Sequence, residues 1–363
     1  MIQDLRSDRT DGAPASADVV PDGGSNVDGT APADDTDRGD GDDPALLAAD
    51  VRKEYGDVRA LEGVDLTVAS GEVFGLIGPN GAGKTTLVRA LTGTTVVDGT
   101  VRVLGDVPTA VDPERIGLLP QSFDPPARLT ARELLEYYAG LYADSRSVES
   151  ALSDVGLADD ADAWYETLSG GQKRRVCVGT ALINDPEMLF LDEPTTGIDP
   201  AGRQDVHRLI RELAADGTTV LVTSHAMGEI ERLADRVGLI RDGRIVAIGS
   251  PSELVEEHGG EATLSVRLSV EREETIETAL QAVETDTRFE AARNGEAEAA
   301  AGIDVTGVSP RAIDTVVEAL TDADVDVESL SWSEPTLEDV YLELTGEAYQ
   351  ATAHAVNAGG GNQ

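Results

Sequence analysis

A glycine-rich segment, Gly78-Pro-Asn-Gly-Ala-Gly-Lys-Thr-Thr86, carries the clearest chemistry in this chain. It has the spacing of a phosphate-binding loop, in which glycines let backbone N–H groups turn towards phosphate oxygens. In such a loop Lys84 would reach the β- and γ-phosphates of a nucleotide, and the Thr85 hydroxyl would ligate Mg²⁺. An apolar run, Val73–Ile77, precedes the segment and a helical pattern follows it, which disfavours a chance glycine-rich turn.

A pair of adjacent acidic residues follows a second apolar run. Asp192 and Glu193 come directly after Met188–Leu191, and Pro194 follows them. If the run is a buried strand, the Asp192 carboxylate emerges at the loop face beside the metal ion. The Glu193 carboxylate could then polarise an attacking water. The alternative is a solvated pair in an acidic chain, and the apolar run before the pair argues against it.

A second glycine-rich segment, Leu168-Ser-Gly-Gly-Gln172, opens another stretch with helical composition. Its serine hydroxyl and its N–H groups would form a second surface able to face phosphate. Alone it would be typical of a flexible linker, but its place shortly before the acidic pair disfavours that interpretation. Three further short motifs complete a fixed order along the chain: Gln121, Ile198-Asp199 and Thr223-Ser-His225.

Strand-like and helix-like patterns alternate from about residue 44 to 260 and would position these groups. Short apolar runs predict strands buried on both faces at Val73–Ile77, Met188–Leu191 and Val220–Val222. Helical spacing occurs at Leu87, Val88 and Leu91, and again at Leu134, Leu135, Tyr138 and Leu141 within a mostly helical insertion at about 122–170. Val237–Ile240 and Ile245–Ile248 flank Asp242-Gly243 and predict a hairpin.

A second unit spans about residues 261–345 and shows no chemical constellation of its own. Leu264, Val266, Leu268 and Val270 alternate as in a half-buried strand, and further strands are expected at 303–308 and 325–330. Helical faces are expected around Ile276, Leu280 and Val283, around Ile313, Val316, Val317 and Leu320, and around Leu337, Val340, Tyr341 and Leu344. These patterns predict a small α+β accessory domain.

The composition is strongly acidic, with a formal net charge of −41 and lysine only at Lys53, Lys84 and Lys173. Two interpretations compete: a surface that seeks a basic partner, or a protein adapted to concentrated salt, as in a haloarchaeon. The second is favoured because the acidity is general, and salt at about 1 M screens charges beyond about 3 Å. Nucleic-acid binding is disfavoured in either case.

Several absences and low-complexity segments set further bounds. We expect disorder in an acidic leader at 1–43 and in a tail at 346–363, because neither carries enough apolar residues to offset ordering entropy. No apolar run of about 20 residues predicts a membrane span, and no secretory signal is expected. Cys177 is interpreted as a small buried group on a helix, and the histidines show no metal-ligand spacing.

With these motifs in order, residues 44–260 resemble the ATP-binding subunit of an ATP-binding-cassette (ABC) transporter. The resemblance implies an α/β fold: a P-loop NTPase core with an antiparallel β subdomain, an inserted helical subdomain and the small C-terminal domain. It implies ATP and Mg²⁺ as ligands, and a head-to-tail dimer with a second copy that sandwiches two ATP molecules. It also implies separate integral membrane permease subunits, contacted near 123–142, at the cytoplasmic face of the cell membrane.

The resemblance further assigns roles to individual residues. Tyr55 would stack on adenine, while Gln121 would sense Mg²⁺ and the attacking water. Ser169 and Gly171 would contact the nucleotide bound to the opposite subunit, and Asp199 would link the two sites. His225 would hold the γ-phosphate and the base, Glu193. The expected cofactor-binding set is Tyr55, Gly78, Pro79, Asn80, Gly81, Ala82, Gly83, Lys84, Thr85, Thr86, Ser169, Gly170, Gly171, Gln172 and Asp199. The expected catalytic set is Lys84, Gln121, Glu193 and His225, and the expected metal ligands are Thr85, Gln121 and Asp192.

The direction of transport depends on the C-terminal unit. Its last segment, 333–346, resembles the ending of ATPases from two-component exporters of the drug-resistance and sodium-efflux type. An importer subunit remains open, because importer cassettes look similar over 44–260. A soluble ABC ATPase acting on ribosomes or DNA is disfavoured by the single cassette, the acidic surface and the lack of a long heptad repeat or zinc-binding cysteines. The sequence does not identify the cargo.

Overall fold

The computed structural model describes residues 43–123, 125–269, 273–286, 288–293 and 302–346. The first elements are β1 (Leu46–Tyr55), β2 (Val58–Val68), β3 (Val73–Ile77), α1 (Lys84–Leu91), β4 (Asp98–Val103) and β5 (Ile116–Leu119). Next come α2 (Ala131–Ala139), α3 (Val148–Asp154), α4 (Gly170–Leu182), β6 (Met188–Asp192), α5 (Pro200–Ala215), β7 (Thr219–Ser224) and α6 (Met227–Ile230). The remaining elements are β8 (Arg236–Arg241), β9 (Arg244–Gly249), α7 (Pro251–His258), β10 (Thr263–Leu268), α8 (Glu273–Glu284), β11 (Glu290–Arg293), β12 (Gly302–Thr306), α9 (Ile313–Asp322), β13 (Val327–Ser333) and α10 (Leu337–Thr345).

A six-stranded sheet with the order β5-β6-β7-β3-β8-β9 forms the centre of the region that carries the phosphate-binding loop. Its strands pair in parallel, except that β9 runs antiparallel to β8. The carboxyl ends of the parallel strands therefore meet at one edge, which is where open α/β sheets bind ligands. An antiparallel sheet, β2-β1-β4, lies beside it.

The apolar runs predicted as strands are buried because apolar layers cover both faces of the parallel sheet. In β3, Val73 and Ile77 face one apolar cluster, while Phe74 and Leu76 face another. Strand β6 alternates in the same way, with Leu189 and Leu191 on one side and Met188 and Phe190 on the other. The first cluster includes the helical insertion and the second includes the antiparallel sheet, so both layers hold the central strands in place.

A third sheet, β11-β12-β10-β13, is antiparallel throughout and packs against α8 and α9 around a separate apolar cluster. The last helix, α10, does not pack in this third cluster. Leu337, Val340 and Tyr341 are buried in the same cluster as residues of α6 and α7. A hydrogen bond from Arg241 to the Thr345 carbonyl adds to this contact.

Most of the element predictions are confirmed, and three are wrong in part. Strand β12 covers 302–306 rather than 303–308, because the chain turns at Gly307, which has a φ of 78°. The hairpin at Asp242-Gly243 is present, with φ of 48° and 74° at its two residues, and Cys177 is buried on α4. Leu141 was expected on the helix that became α2, but that helix ends at Ala139, and Leu141 is 60% exposed. Strand β13 covers 327–333 rather than 325–330, because α9 ends in a turn in which the Val325 N–H donates to the Leu320 carbonyl.

Some predictions fall outside the described residues. Val270, placed in a strand, is one of them. The expected disorder of 1–43 and 346–363 lies almost entirely there as well.

Candidate functional site

The phosphate-binding loop lies at the carboxyl end of β3, in the interior of the parallel sheet. Strand β3 pairs with β7 on one side and β8 on the other, and all five of its residues are buried. Helix α1 begins at Lys84, directly after Gly83, which adopts a φ of 110°. A Cβ at Gly83 would lie 2.7 Å from the Ala60 carbonyl oxygen, so both the backbone conformation and the space require glycine here.

Lys84 is only 6% exposed, although it carries an ammonium group. Its Nζ donates to the Gly78 oxygen at 2.7 Å and to the Pro79 oxygen at 3.1 Å, both within the loop. Burial lowers the pKa of Lys84, while the nearby carboxylates of Glu193 and Asp192 favour its charged form. The result is a cation held beneath the loop and balanced by two acids.

The two acids at the end of β6 are buried and share one partner on the neighbouring strand. Asp192 is 2% exposed, and its Oδ1 accepts a hydrogen bond from the Thr223 hydroxyl at 2.5 Å. Glu193 is 6% exposed and has a left-handed φ of 52°, which is unusual for a residue with a side chain. The Glu193 N–H donates to the carbonyl and to the hydroxyl oxygen of Thr223, at 3.2 Å and 3.1 Å. Thr223 therefore fixes the main chain where the two acids diverge.

The Glu193 carboxylate is held by one residue of its own loop and one residue of the loop after β7. His225, which follows β7, places its Nδ1 3.3 Å from Glu193 Oε1. The Thr196 hydroxyl donates to Glu193 Oε2 at 3.1 Å. Both carboxylate oxygens thus have a polar neighbour, which is the arrangement needed to orient a general base.

Lys84, Glu193 and His225 line a cavity of about 540 Å³, whereas Asp192 is not among its described lining residues. Its lining includes nine of the residues expected at the site: Asn80, Gly81, Gly83, Lys84, Thr85, Thr86, Gln121, Glu193 and His225. Val58, Arg59, Ala60 and Thr196 also line it and were not expected. Val58, Arg59 and Ala60 lie on strand β2 of the antiparallel sheet, which only tertiary packing brings to the cavity.

Tyr55 is not among the described lining residues. It is 45% exposed at the end of β1, with Lys53 Nζ 5.0 Å from the centre of its ring. A hydrogen bond with Thr95 lowers the pKa of the Tyr55 hydroxyl. The adenine-stacking role stays a prediction.

The Ser169–Gln172 segment caps α4 with its own side chains. The Ser169 Oγ accepts from the Gln172 N–H at 3.2 Å, and the Gln172 Oε1 accepts from the Ser169 N–H at 2.9 Å. The Gln172 amide also donates to Asp160 Oδ2 at 2.7 Å. None of the four residues from Ser169 to Gln172 belongs to the described lining of the cavity.

Asp199 lies beside this helix start. It caps α5, with its Oδ2 3.4 Å from the Gly202 nitrogen. A Cβ added at Gly171 would lie 3.4 Å from Asp199 Oδ1, so the two segments pack closely within one chain. The structure therefore groups Ser169–Gln172 with Asp199 and places both outside the cavity that Lys84 and Glu193 line.

One polar residue at the site has no counterpart in the expected sets. Arg174, on the second turn of α4, donates hydrogen bonds to the main chain around Gln121 and around the acidic pair. In the sequence it lies in a run of three cations after Gln172, which is typical of a solvated helix face. Only the packing of α4 against the ends of β5 and β6 reveals its partners.

The residues present fit a nucleotide with its metal ion. The loop, the start of α1 and Lys84 supply the N–H groups and the positive charge that phosphate needs. Among the described residues no group of three or more His, Cys, Asp or Glu side chains could hold a metal by itself. Mg²⁺ bound with a nucleotide needs only one or two carboxylates, since phosphates and water supply the other ligands. Asp192, Thr85 and Gln121 offer suitable oxygens.

Comparison with known proteins identifies the family. A family model described as ABC transporter matches residues 61–196. The chain is 39% identical over 321 residues to the daunorubicin resistance ATP-binding protein DrrA3 of Streptomyces coeruleorubidus, covering 84% of this chain and 97% of that protein. The chain belongs to the ABC transporter ATP-binding proteins.

Two further relatives and a solved structure agree with this assignment. The chain is 35% identical to the linearmycin resistance ATP-binding protein LnrL of Bacillus subtilis, over 83% of this chain and 98% of that protein. It is 44% identical to the Nod factor export ATP-binding protein I of Rhizobium sp., over 60% and 74%. An ATP-binding cassette of an ABC transporter, MJ1267 in its ADP conformation, superposes with a TM-score of 0.53 at 28% identity and covers 59% of this chain and 94% of that one.

The family assignment establishes the P-loop NTPase fold and the binding of ATP by this ABC protein. Within the part of the chain that the structure describes, no helix has both the length and the apolar character to cross a membrane.

Proposed function

We propose that this ABC protein hydrolyses Mg-ATP as a head-to-tail pair and drives export through a separate membrane subunit. The observation that carries the proposal is the convergence of Lys84, Glu193 and His225, from three separate loops, on one cavity at the carboxyl edge of the parallel sheet. A buried cation and a buried, oriented carboxylate on one cavity match the needs of phosphoryl transfer to water.

Nucleotide binding is assigned to the loop from Gly78 to Thr86. Its N–H groups and the start of α1 would hold the phosphates, and Lys84 would turn from the carbonyls of Gly78 and Pro79 to the β- and γ-phosphates. Thr85, Gln121 and Asp192 would ligate Mg²⁺, which when bound neutralises phosphate charge. Thr223 would keep the Asp192 carboxylate aimed at the metal side.

Catalysis is assigned to Glu193 as general base. Its carboxylate would take a proton from the attacking water, and the neighbouring side chains of His225 and Thr196 would hold it in position. Lys84 would stabilise the negative charge on the transferring phosphoryl group from within a site largely closed to water. Gln121, at the cavity rim, would help to place the attacking water.

A second copy is assigned the role of completing the site. Ser169, Gly170, Gly171, Gln172 and Asp199 are grouped with one another rather than with the cavity of their own chain. A head-to-tail partner would bring its own Ser169 and Gly171 to the open side of the cavity, where the serine hydroxyl and the N–H groups at the start of α4 could face the γ-phosphate. Both chains would carry the same groups, so we propose a homodimer with two sites.

Export is supported by the relatives that align over most of this chain, whose names refer to daunorubicin resistance and linearmycin resistance. We propose that the protein acts at the cytoplasmic face of the cell membrane and contacts an integral membrane permease through residues 123–142 of the helical insertion. The acidic charge of the chain makes nucleic acid an unsuitable partner.

The proposed domain limits follow the roles given above. Residues 44–260 would form the ATPase domain, with its helical subdomain at about 122–170, and residues 261–345 would form the accessory domain. The leader at 1–43 and the tail at 346–363 would lie outside both domains.

The Glu193→Gln variant tests this proposal. It keeps the size and most hydrogen bonds of the side chain but removes the base, so we expect kcat to fall by about 10²–10⁴-fold while ATP binding persists. Sedimentation in the presence of Mg-ATP should show a stable dimer of the variant. Turnover within about threefold of the wild-type rate would remove Glu193 from the role of base.

Affinity purification of the full-length protein from solubilised native membranes at high KCl tests the transport assignment. A polytopic membrane protein recovered in stoichiometric amount would support it. Recovery of the protein with ribosomes or with DNA-bound factors would contradict it and leave the ATPase chemistry in place.

A further inference from the structure

The guanidinium of Arg174 bridges two loops of the candidate site from the helix that begins at Ser169. Its Nη2 donates to the carbonyl oxygens of Asp192 and Glu193 at 2.6 Å and 2.9 Å. Its Nη1 donates to those of Pro120 and Gln121 at 3.2 Å and 3.5 Å. Its Nε adds a contact of 3.3 Å with the oxygen of Pro194.

These carbonyl groups belong to the turns that follow two adjacent parallel strands, β5 and β6. The loop after β5 carries Gln121 and the loop after β6 carries Glu193. Because all of the acceptors are main-chain oxygens, Arg174 restrains the path of both loops rather than any one side chain. A planar group with donors at fixed angles suits this geometry, whereas an ammonium group is a single point donor.

Glu193 depends on such restraint more than its neighbours do. Its left-handed φ of 52° is a conformation that persists in a non-glycine residue only where the surroundings enforce it. Thr223 holds the N–H of Glu193, and Arg174 holds its carbonyl oxygen. The peptide group before the Glu193 side chain is therefore tied to both β7 and α4, and the peptide group after it is tied to α4.

The adjacent arginine gives an internal comparison. Arg175 lies on the same turn of α4, and its Nη1 also donates to two carbonyl oxygens, those of Val155 and Gly156, at 3.3 Å and 3.2 Å. These acceptors belong to the helical insertion after α3 and not to the cavity. Arg174 and Arg175 thus share residue type, helix and kind of partner, but only Arg174 reaches the loops of the acidic pair and of Gln121.

We infer that Arg174 is a positioning residue that links the start of α4 to the main chain of Gln121 and Glu193. Arg174 thereby makes the position of the Glu193 main chain depend on the position of α4, whose first turn would engage nucleotide through Ser169 and Gly171. The inference rests on the proposed function, because it requires nucleotide at the Ser169 segment.

The test compares full-length wild-type protein with the Arg174→Lys and Arg175→Lys variants. Steady-state ATPase assays give kcat and KM, binding of a fluorescent ATP analogue gives Kd, and thermal unfolding gives Tm. For Arg174→Lys we expect kcat to fall about tenfold to a hundredfold, since a small misplacement of a reacting group costs rates of this order. Its Kd for the analogue should stay within about twofold of wild type, because the Lys84 loop is untouched. The matched control, Arg175→Lys, should keep both values within about twofold.

A second pair, Arg174→Ala and Arg175→Ala, separates positioning from folding. Guanidinium ion at low millimolar concentration should restore part of the ATPase rate of Arg174→Ala, because it can occupy the vacated space and bridge the same carbonyls. It should not raise the rate of Arg175→Ala.

Two results would overturn the inference: an unchanged kcat in Arg174→Lys, or equal losses of kcat in both lysine variants. A rise in Kd with kcat unchanged belongs to the first result and would assign Arg174 to nucleotide binding. Failure of the proposed function is recognised separately, because the wild-type protein itself would then show no ATP hydrolysis and no variant comparison would be made.

Discussion

The carboxyl edge of the parallel sheet buries polar side chains, whereas the C-terminal sheet does not in the residues that the structure describes. At the first, Lys84, Asp192, Glu193, Thr223 and Ser224 are all buried. In the described residues from 261 to 346, the buried side chains are those of apolar residues. Buried polar groups cost free energy unless they are paired, and those away from this edge, such as Glu72, Asn184 and Thr219, are paired with nearby main-chain groups. At the carboxyl edge, by contrast, a buried cation and two buried acids lie together. The comparison indicates that the sheet edge is arranged for reaction and the C-terminal sheet for packing.

The C-terminal core should affect stability without affecting the reaction. Leu320, on α9, is fully buried, and its change to alanine should lower the free energy of unfolding by about 2–5 kcal/mol. The ATPase kcat, measured where the variant is still folded, should stay within about twofold of wild type. A fall in kcat comparable to that of the catalytic variants would contradict the claim that the C-terminal core affects stability but not the reaction.

The two tryptophans allow this measurement to be made region by region. Trp332 packs at the edge of the C-terminal core, and its Nε1 donates to the Val308 oxygen at 2.6 Å. Trp164 is 53% exposed in the helical insertion. In a Trp164→Phe background, fluorescence follows Trp332 alone during denaturation. Leu330→Ala, at a residue that is 40% exposed, is the matched control and should change stability by less than about 0.5 kcal/mol.

At the sheet edge, the Thr223→Val variant should lose activity as well as stability. Valine keeps the shape of the side chain but removes the hydroxyl that donates to Asp192 and accepts from the Glu193 N–H. Leaving a buried carboxylate short of one donor costs about 1–3 kcal/mol, and we expect kcat to fall about tenfold as the two acids shift. ATPase assays at saturating ATP would measure this loss.

Ser224 provides the control for that experiment. It follows Thr223 on β7, is 5% exposed, and its Oγ accepts a hydrogen bond from the Ala226 N–H at 2.9 Å rather than contacting the acids. Ser224→Ala should therefore keep kcat within about twofold. An equal loss of kcat in both variants would show that removing any hydroxyl from the end of β7 lowers the rate. The Thr223 hydroxyl would then have no specific role in positioning the two acids.

The sequence predicts the parts of the site that depend on local pattern and fails where distant segments meet. The apolar runs at Val73–Ile77 and Met188–Leu191 indicated buried strands, and the structure confirms both, because apolar layers cover both faces of the sheet. Gly83 could be read as a special position because only glycine tolerates its conformation.

The contacts of Arg174 could not be predicted, since its acceptors are carbonyl groups, which every residue carries. The sequence also did not predict that Val58 and Ala60 line the cavity. They lie on β2, which reaches the cavity only because one sheet packs on another. The end of α2 before Leu141 could have been predicted from Gly140, which caps the helix, but helical spacing alone passed over it.

High salt is the condition under which the two regions should behave alike. Acidic residues are spread over both, and the chain as a whole carries a formal net charge of −41. Raising the ionic strength from 0.1 M to 1 M shortens the Debye length from about 10 Å to about 3 Å and weakens repulsion between carboxylates at the surface. The midpoint of the unfolding transition that Trp332 fluorescence reports should therefore rise with KCl, and so should the ATPase rate. The contacts among Lys84, Asp192 and Thr223 are buried and screened less, so their energies should change little. An ATPase rate highest in dilute buffer, or salt stabilisation confined to one region, would contradict adaptation to concentrated salt and favour a basic partner for the acidic surface.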